Sequence, residues 1–179
     1  MNGFSTQQDV GIWLRLSAPG QVRIRFWNSQ TPKVVSNRVF SSSGLDDRTV
    51  SATLSGLPHG QRFLYEVDVR SGSKWIPRKQ RTPLTFQTQT IWQRRSPPPD
   101  FSLAFGSCAY INDQSVDAPN APAYGGGYEI FDTIAAQRPD FMLWLGDTVY
   151  LRPADWGSAQ GIHRRYRHDR STPALQLLL

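Results

Sequence analysis

Residues 141–150 read FMLWLGDTVY, an apolar run that stops at Gly146 and Asp147. Residues 101–108, FSLAFGSC, have the same form and end at Cys108. Short apolar runs bounded by glycine are typical of strands that are buried on both faces of a sheet. These two segments therefore predict strands of an α/β unit whose sheet is covered on both sides.

The segment between these two strands has helical periodicity. Tyr128, Phe131 and Ala135 recur at intervals of three and four residues, and Arg138-Pro139 ends the pattern. A strand, a helix and a second strand in this order predict a parallel βαβ unit.

The first half of the chain has a different pattern, a series of short strands in which apolar and polar residues alternate. The alternating runs are Val10–Leu16, Val22–Phe26, Val50–Leu54, Phe63–Val69 and Leu84–Thr88, and Ser36–Phe40 is a further short candidate strand. Short strands at this spacing, separated by polar turns, predict an all-β sandwich of the immunoglobulin or fibronectin III type.

A proline-rich stretch separates the two patterns. Pro97, Pro98 and Pro99 can continue neither a strand ladder nor a helix, because proline lacks the backbone N–H. The predicted organisation is a β-sandwich at 1–95, a linker at 96–100 and an α/β segment at 101–179.

The last residues of the sequence form an apolar stripe. A short helix is predicted over 174–179, and it ends in Leu177, Leu178 and Leu179 with nothing after them to cover the stripe. We therefore expect the chain to be a fragment of a longer protein.

Composition and charge exclude several classes of protein. The 179 residues are 39% hydrophobic and 19% charged, which excludes wholesale disorder, and the single cysteine, Cys108, excludes an internal disulfide. No apolar run reaches the length of a membrane span. Residues 1–95 hold 14 basic and 5 acidic residues, whereas residues 96–179 hold 6 and 9. No nucleic-acid motif accompanies the basic half, so its charge is interpreted as solvated strand faces.

Residues that could bind a metal ion follow both α/β strands. Ligand sites in open α/β sheets lie beyond the carboxyl ends of the strands, so we expect Cys108 and Asp147 to lie close together, with Tyr150 nearby. Thiolate, carboxylate and phenolate together suit a highly charged ion such as ferric iron, and the carboxylate can bridge a second metal. Structural roles are the alternative: a small buried cysteine, a turn or helix-cap aspartate and a packed tyrosine.

Spacing argues against other chemistries at these positions. The sixth residue after Cys108 is Gln114, where a cysteine phosphatase needs arginine. Ser107 lacks the flanking glycines of a nucleophile elbow, and Gly125–Gly127 lack the Lys-Ser or Lys-Thr of a P-loop. The histidines of the basic run HRRYRHDR (163–170) are expected at the solvated surface, on different helix faces.

The chain from Phe101 onward resembles the PhoD-like family of alkaline phosphatases and phosphodiesterases. Three blocks in the family's order carry the resemblance: FGSCAYIND (105–113), YEIFDTIAAQRPDFMLWLGDTVYL (128–151) and RYRHDRSTPALQLLL (165–179). Gly-Ser-Cys replaces the Asp-x-His of common metallophosphoesterases, as it does in the PhoD-like branch. Two departures stand out: Thr148 replaces the usual Asn or Tyr, and the family's later Trp-Asp-Asp-His-Asp-like block does not occur in this sequence.

The resemblance implies an activity and a set of ligands. It implies a β-sandwich followed by the truncated N-terminal part of a metallophosphoesterase catalytic domain, with a phosphate monoester or diester as substrate. It implies that Cys108 and Tyr150 bind ferric iron and that Asp147 bridges the iron to calcium or another divalent ion. Since the family's remaining ligands are missing from this sequence, the fragment alone is expected to be inactive.

A second function is open at this point: a non-catalytic β-sandwich that binds an anion or an anionic polymer, followed by a remnant hydrolase segment. Many PhoD-like proteins are exported, but residues 1–8, MNGFSTQQ, lack the pattern of a signal peptide. The sequence predicts neither a location nor an oligomeric state.

Overall fold

The chain folds as two units, Met1–Pro99 and Asp100–Leu179. The computed structural model describes residues 1–79, 83–93, 97–117 and 124–179. Most of the regular structure is β-sheet, with few helices. The linker predicted at 96–100 begins at Ser96, which lies outside the described residues.

The described part of the first unit contains two antiparallel sheets. Its strands are β1 (Asn2–Ser5), β2 (Val10–Arg15), β3 (Gly20–Asn28), β4 (Ser36–Ser42), β5 (Thr49–Leu54), β6 (Arg62–Ser71), β7 (Lys74–Pro77) and β8 (Leu84–Gln87). One sheet has the order β1-β2-β5 and the other the order β4-β3-β6-β7, with β8 also paired to β6. Every pairing within these two sheets is antiparallel.

The alternation along β3 shows why these sheets pack together. Val22, Ile24 and Phe26 are buried, whereas Arg23 and Arg25 on the opposite face are half-buried. Successive side chains of a strand point to opposite faces, so each sheet has one apolar face to bury. The buried residues of both sheets form one apolar core. The β-sandwich predicted from the alternating runs is therefore confirmed.

Two strands of the sandwich were not predicted from the sequence. β1 (NGFS) and β7 (KWIP) have four residues each and lack a regular alternation of apolar residues. They form because β2 and β6 offer them backbone hydrogen-bond partners. The partner strand, rather than the local sequence, determines these two elements.

The second unit contains a parallel pair of strands. Its elements are β9 (Leu103–Gly106), a 3-10 helix (Tyr124–Tyr128), α1 (Glu129–Ala136), β10 (Phe141–Trp144), α2 (Pro153–Trp156), α3 (Ala159–Arg170) and a second 3-10 helix (Leu175–Leu177). Leu103 lies opposite Phe141 and Gly106 opposite Trp144. The predicted order of strand, helix and parallel strand is observed. Within the described ranges, no helix has the length and apolar character that crossing a membrane requires.

The prediction that both faces of this sheet are covered is wrong for the chain as described. Trp144 of β10 packs edge-on against Phe131 of α1, with ring centroids 6.2 Å apart. The residues of the opposite face are 44–69% exposed: Leu103, Phe105, Phe141 and Leu143. Alternate residues point to opposite faces, and in the described residues a helix packs against one face alone.

The helix predicted over 174–179 is a single 3-10 turn, Leu175–Leu177. So short a segment after Pro173 gains too few hydrogen bonds to offset the cost of nucleating an α-helix. Leu175 is nevertheless buried, in a small core with Ala109, Ile111 and Phe131. Tertiary packing therefore holds this turn in place.

Candidate metal centre

The loops that follow β9 and β10 are held together by backbone hydrogen bonds. Leu145 N donates to Gly106 O at 2.8 Å, which extends the parallel ladder by one residue. Beyond it, Cys108 N donates to Gly146 O at 3.4 Å and Ala109 N to Asp147 O at 3.0 Å. The carboxyl ends of the two strands thus bring Cys108 beside Asp147, where the sequence predicted them.

Two of the candidate ligands, Cys108 and Tyr150, contact the same carboxylate oxygen of the third, Asp147. Cys108 Sγ lies 3.8 Å from Asp147 Oδ2, and the hydroxyl of Tyr150 donates to the same oxygen at 3.2 Å. Cys108 and Asp147 are exposed and Tyr150 is half-buried. Each of these donor atoms is therefore open to a ligand from solvent.

The backbone is strained at two of these residues. Cys108 has φ 59° and Asp147 has φ 48°, both in the left-handed region. For a residue with a Cβ this conformation costs roughly 1–2 kcal/mol, and cysteine visits it rarely. Strain of this kind is common at functional sites. In this chain it also occurs outside the site, at Arg48, Tyr128 and Arg138, so the strain at Cys108 supports a functional role only together with the contacts described above.

Hydrogen bonding determines the protonation of the tyrosine. The contact with Cys108, followed by partial burial and the hydrogen bond to Asp147, raises the pKa of Tyr150 above its ordinary value. With these partners alone, the phenol keeps its proton and donates a hydrogen bond to the Asp147 carboxylate. A phenolate at this position needs a nearby cation to stabilise it.

The donor set suits a metal ion by its chemistry. One thiol, one carboxylate and one phenol converge, and each becomes an anionic ligand when it loses its proton. Among the described residues, no three His, Cys, Asp or Glu side chains group as a metal site, so the tyrosine is essential to this interpretation. Three side chains leave coordination positions open for further ligands or substrate. The metal itself stays a prediction.

Sequence reasoning missed two residues beside the site. The ring of Tyr110 lies 5.4 Å from the ring of Tyr150, centroid to centroid. The Tyr110 ring also contacts Arg152, whose guanidinium carbon lies 4.2 Å from the ring centroid. Tyr110 occurs in the motif FGSCAY, but no sequence pattern indicates that its side chain contacts Arg152, which lies in a distant segment of the chain.

A cluster of ion pairs lies next to these residues. Its members are Asp113, Asp117, Arg152, Asp155, Arg164, Arg165 and Asp169. The hydrogen bond from Arg152 lowers the pKa of Asp117 to about 2. Burial opposes ionisation of Asp113, but hydrogen bonds from Ser115 and Arg164 outweigh it and lower the pKa of that carboxyl. Both carboxylates stay charged at neutral pH.

The basic run 163–170 is part of this cluster, contrary to the prediction that it is solvated surface. It lies on α3, where the Arg165 side chain is fully buried and its Nε donates to Asp155 Oδ2 at 2.8 Å. His163 and His168 are half-buried, and His168 Nδ1 is 2.9 Å from Asp169 Oδ1. Arginine can be buried because its forked donors reach carboxylates from other elements.

No protein-family model and no curated protein matches this chain. Among solved structures, the structure of PhoD matches 99% of this chain and 35% of that chain, with a TM-score of 0.68 and 17% identity. The chicken CNTN1 FN1-FN3 domains match 50% of this chain and 29% of that chain (TM-score 0.40, 13% identity). The fn3 domain of human collagen alpha-1(XX) matches 56% of this chain and 86% of that chain (TM-score 0.39, 14% identity). At this identity the likeness to PhoD shows a shared fold, and this chain spans about a third of the PhoD chain.

Proposed function

We propose that this chain is part of a PhoD-like, metal-dependent phosphoric ester hydrolase. The observation that carries the proposal is the convergence of Cys108 Sγ and the Tyr150 hydroxyl on Oδ2 of Asp147. The fold of the chain, which is similar to PhoD over 99% of its length, supports the same assignment. The proposed substrate is a phosphate monoester or diester.

Each of the three residues has a separate role in this proposal. Cys108 and Tyr150 would hold ferric iron, and Asp147 would be the ligand shared between the iron and calcium or another divalent ion. When bound, such a pair of ions neutralises charge on a phosphate group and activates water for its hydrolysis. Asp147 suits the bridging role because a carboxylate has two oxygens and can contact two ions at once.

The chain prepares these residues for binding. The backbone hydrogen bonds between the two loops hold Cys108 and Asp147 at a short separation, so little ordering remains to be done when an ion enters. On binding, Cys108 gives up its thiol proton and Tyr150 its phenol proton, and Asp147 Oδ2 loses two hydrogen-bond donors. The freed oxygen then becomes available as a ligand.

The alternative function, an anion-binding β-sandwich, has less support. Arg23 and Arg25 are prominent basic residues of β3, but both pair with Asp68, at 2.7 Å and 2.8 Å, and Arg25 also pairs with Glu66. A polyanion would have to displace these carboxylates. The charges of Arg23 and Arg25 are therefore already compensated by Asp68 and Glu66, whereas residues 1–95 as a whole keep an excess of basic residues.

Ferric iron binding by this chain tests the proposal directly. An iron–phenolate pair absorbs visible light, so the loaded chain should show a charge-transfer band that Tyr150→Phe abolishes. Tyr166→Phe is the matched control, since Tyr166 is an exposed tyrosine on α3 that packs against Arg170. Turnover of a phosphate monoester and a diester is then measured on the longer protein that contains this chain. Unchanged iron content in both Cys108→Ala and Tyr150→Phe would show that the ligand assignment is wrong.

A further inference from the structure

The side chain of Arg152 joins the two loops that carry the candidate ligands. Arg152 follows Tyr150 by two residues and is 7% exposed. Its Nη1 donates to the carbonyl oxygen of Tyr150. Its Nη2 donates to the carbonyl oxygen of Ile111, in the loop after Cys108, at 2.6 Å. One guanidinium therefore binds the backbone of both loops.

Three further contacts fix the orientation of this guanidinium. The carboxylate of Asp117 accepts hydrogen bonds from Arg152 Nε at 3.0 Å and from Arg152 Nη2 at 2.9 Å, so the two side chains form a bidentate pair. The Tyr110 ring lies 4.2 Å from the guanidinium carbon, and its hydroxyl donates to Asp117. The backbone N–H of Arg152 donates to Asp155 Oδ2 at 2.9 Å, which fixes the main chain as well.

We propose that Arg152 is a positioning residue of the candidate metal centre. It sets the separation between the loop of Cys108 and the loop of Tyr150 by holding a carbonyl of each. It contacts Tyr150 directly, through the hydrogen bond to the Tyr150 carbonyl, and indirectly, through the Tyr110 ring that packs against the Tyr150 ring. The inference rests on the proposed function, because it assigns a purpose to the geometry of those ligands.

An ordinary buried ion pair does not explain these contacts. Burial of an arginine requires a carboxylate partner, and Asp117 already provides one. The two carbonyl acceptors are additional, and each belongs to a different loop. The planar guanidinium has enough donors to bind a bidentate carboxylate and two carbonyls together. A lysine at position 152 keeps the charge but cannot hydrogen-bond to the carbonyls of both loops.

A disulfide trap measures this separation without any metal. Cys108 is the single cysteine of the chain, so Asp147→Cys creates one possible intramolecular pair. Its effective concentration is measured against oxidised glutathione, in the full chain, with and without Arg152→Lys. We expect Arg152→Lys to lower the effective concentration by about tenfold or more, since small displacements have large effects on such reactions.

Arg164→Lys is the matched control. Arg164 belongs to the same cluster, but within the described residues its guanidinium pairs with the carboxylates of Asp113 and Asp155 rather than with carbonyls of the two loops. It should change the effective concentration less than twofold. Near-UV circular dichroism checks the fold of each variant. If Arg152→Lys does not fold, the double variant Arg152→Gln, Asp117→Asn removes both charges of the ion pair together and takes its place in the assay.

A second experiment measures metal binding in the chain with Asp147 intact. Cobalt(II) alone is the probe, and its binding is followed by the thiolate-to-cobalt charge-transfer absorption. We expect Arg152→Lys to weaken cobalt binding by roughly 10–100-fold, as residues that orient metal ligands do, and Arg164→Lys to leave it unchanged. If the chain with Asp147 intact shows no cobalt absorption, but the effective concentration in the Asp147→Cys chain depends on Arg152, the metal site is refuted and the positioning role of Arg152 is supported. If Arg152→Lys leaves the effective concentration in the Asp147→Cys chain unchanged, the inference is overturned.

Discussion

The phenol of Tyr150 donates a hydrogen bond of 3.2 Å to Oδ2 of Asp147, the oxygen that Cys108 Sγ also approaches. A carboxylate oxygen that accepts from two donors is unavailable to a cation until both protons leave. Metal binding at the proposed site would therefore be coupled to proton release. Each ligand already lies within hydrogen-bond distance of the next, so only protons, and not side chains, have to move first.

The bridging role proposed for Asp147 predicts an unequal effect of three substitutions. In protein loaded with ferric iron and Ca²⁺, Asp147→Asn should lower the content of both metals, because a bridging carboxylate would contact both ions. Cys108→Ala and Tyr150→Phe should lower iron more than calcium. Elemental analysis after gel filtration measures the contents, with Asp132→Asn, an exposed residue of α1, as the control. Equal losses of both metals in all three variants would contradict the bridge.

The left-handed backbone at Cys108 predicts an unusual order of stability. Glycine adopts φ 59° without a Cβ clash, so Cys108→Gly should be more stable than Cys108→Ala by about 1 kcal/mol. Urea unfolding measures the difference. At Ser107, which has no positive φ, the order should reverse, because glycine there loses more backbone entropy than alanine. A Cys108→Ala chain as stable as Cys108→Gly would show that the strain is absent in solution.

The ion pair of Asp117 with Arg152 predicts a loss of stability in acid. In the folded protein the pKa of Asp117 is about 2, below the ordinary value of about 3.9, so the ionised carboxylate stabilises the fold above pH ~4. This contribution, on the order of 2 kcal/mol, is lost as the pH falls through about 2. Urea unfolding of wild type and Asp117→Asn should therefore differ most near pH ~5 and converge toward pH ~2. A difference that stays constant over this range would show that the pair does not hold the pKa down.

The core of the sandwich predicts different effects for two isoleucines. Ile24 of β3 is 0% exposed and Ile76 of β7 is 48% exposed. Ile24→Ala should cost about 2–5 kcal/mol of unfolding free energy, because it leaves a cavity between the sheets. Ile76→Ala removes the same atoms from a surface site and should cost less than about 1 kcal/mol. Urea unfolding followed by far-UV circular dichroism compares them, and similar costs would contradict the packing of β3 in the core.

The predicted boundary at residue 95 is tested by residues 1–95 alone. The two sheets share their own apolar core, so this segment should fold as an autonomous β domain. Circular dichroism should show β-structure, and the amide resonances should be dispersed. A random-coil spectrum would place the boundary elsewhere.

The sequence by itself determined the parts of this protein that follow from local pattern. Period-two alternation located five strands of the sandwich, because a strand with one buried face must alternate. Apolar runs at 101–106 and 141–145 indicated a parallel pair, and the rule that strand ends meet at one edge placed Cys108 beside Asp147. These features could be inferred because each depends on the spacing of residues within one short segment.

Only the tertiary structure decided which charged residues are buried. Arg165 lies in a run of basic residues that is typical of a solvated helix, yet it is fully enclosed beside Asp155 and Asp113. Arg152 likewise meets Ile111 and Asp117, more than 30 positions earlier in the chain. A charge can leave water only where partners from distant segments arrive with the right geometry, and no local pattern records that arrival. The residues that hold the candidate site together were therefore hidden in the sequence, whereas those that compose it were not.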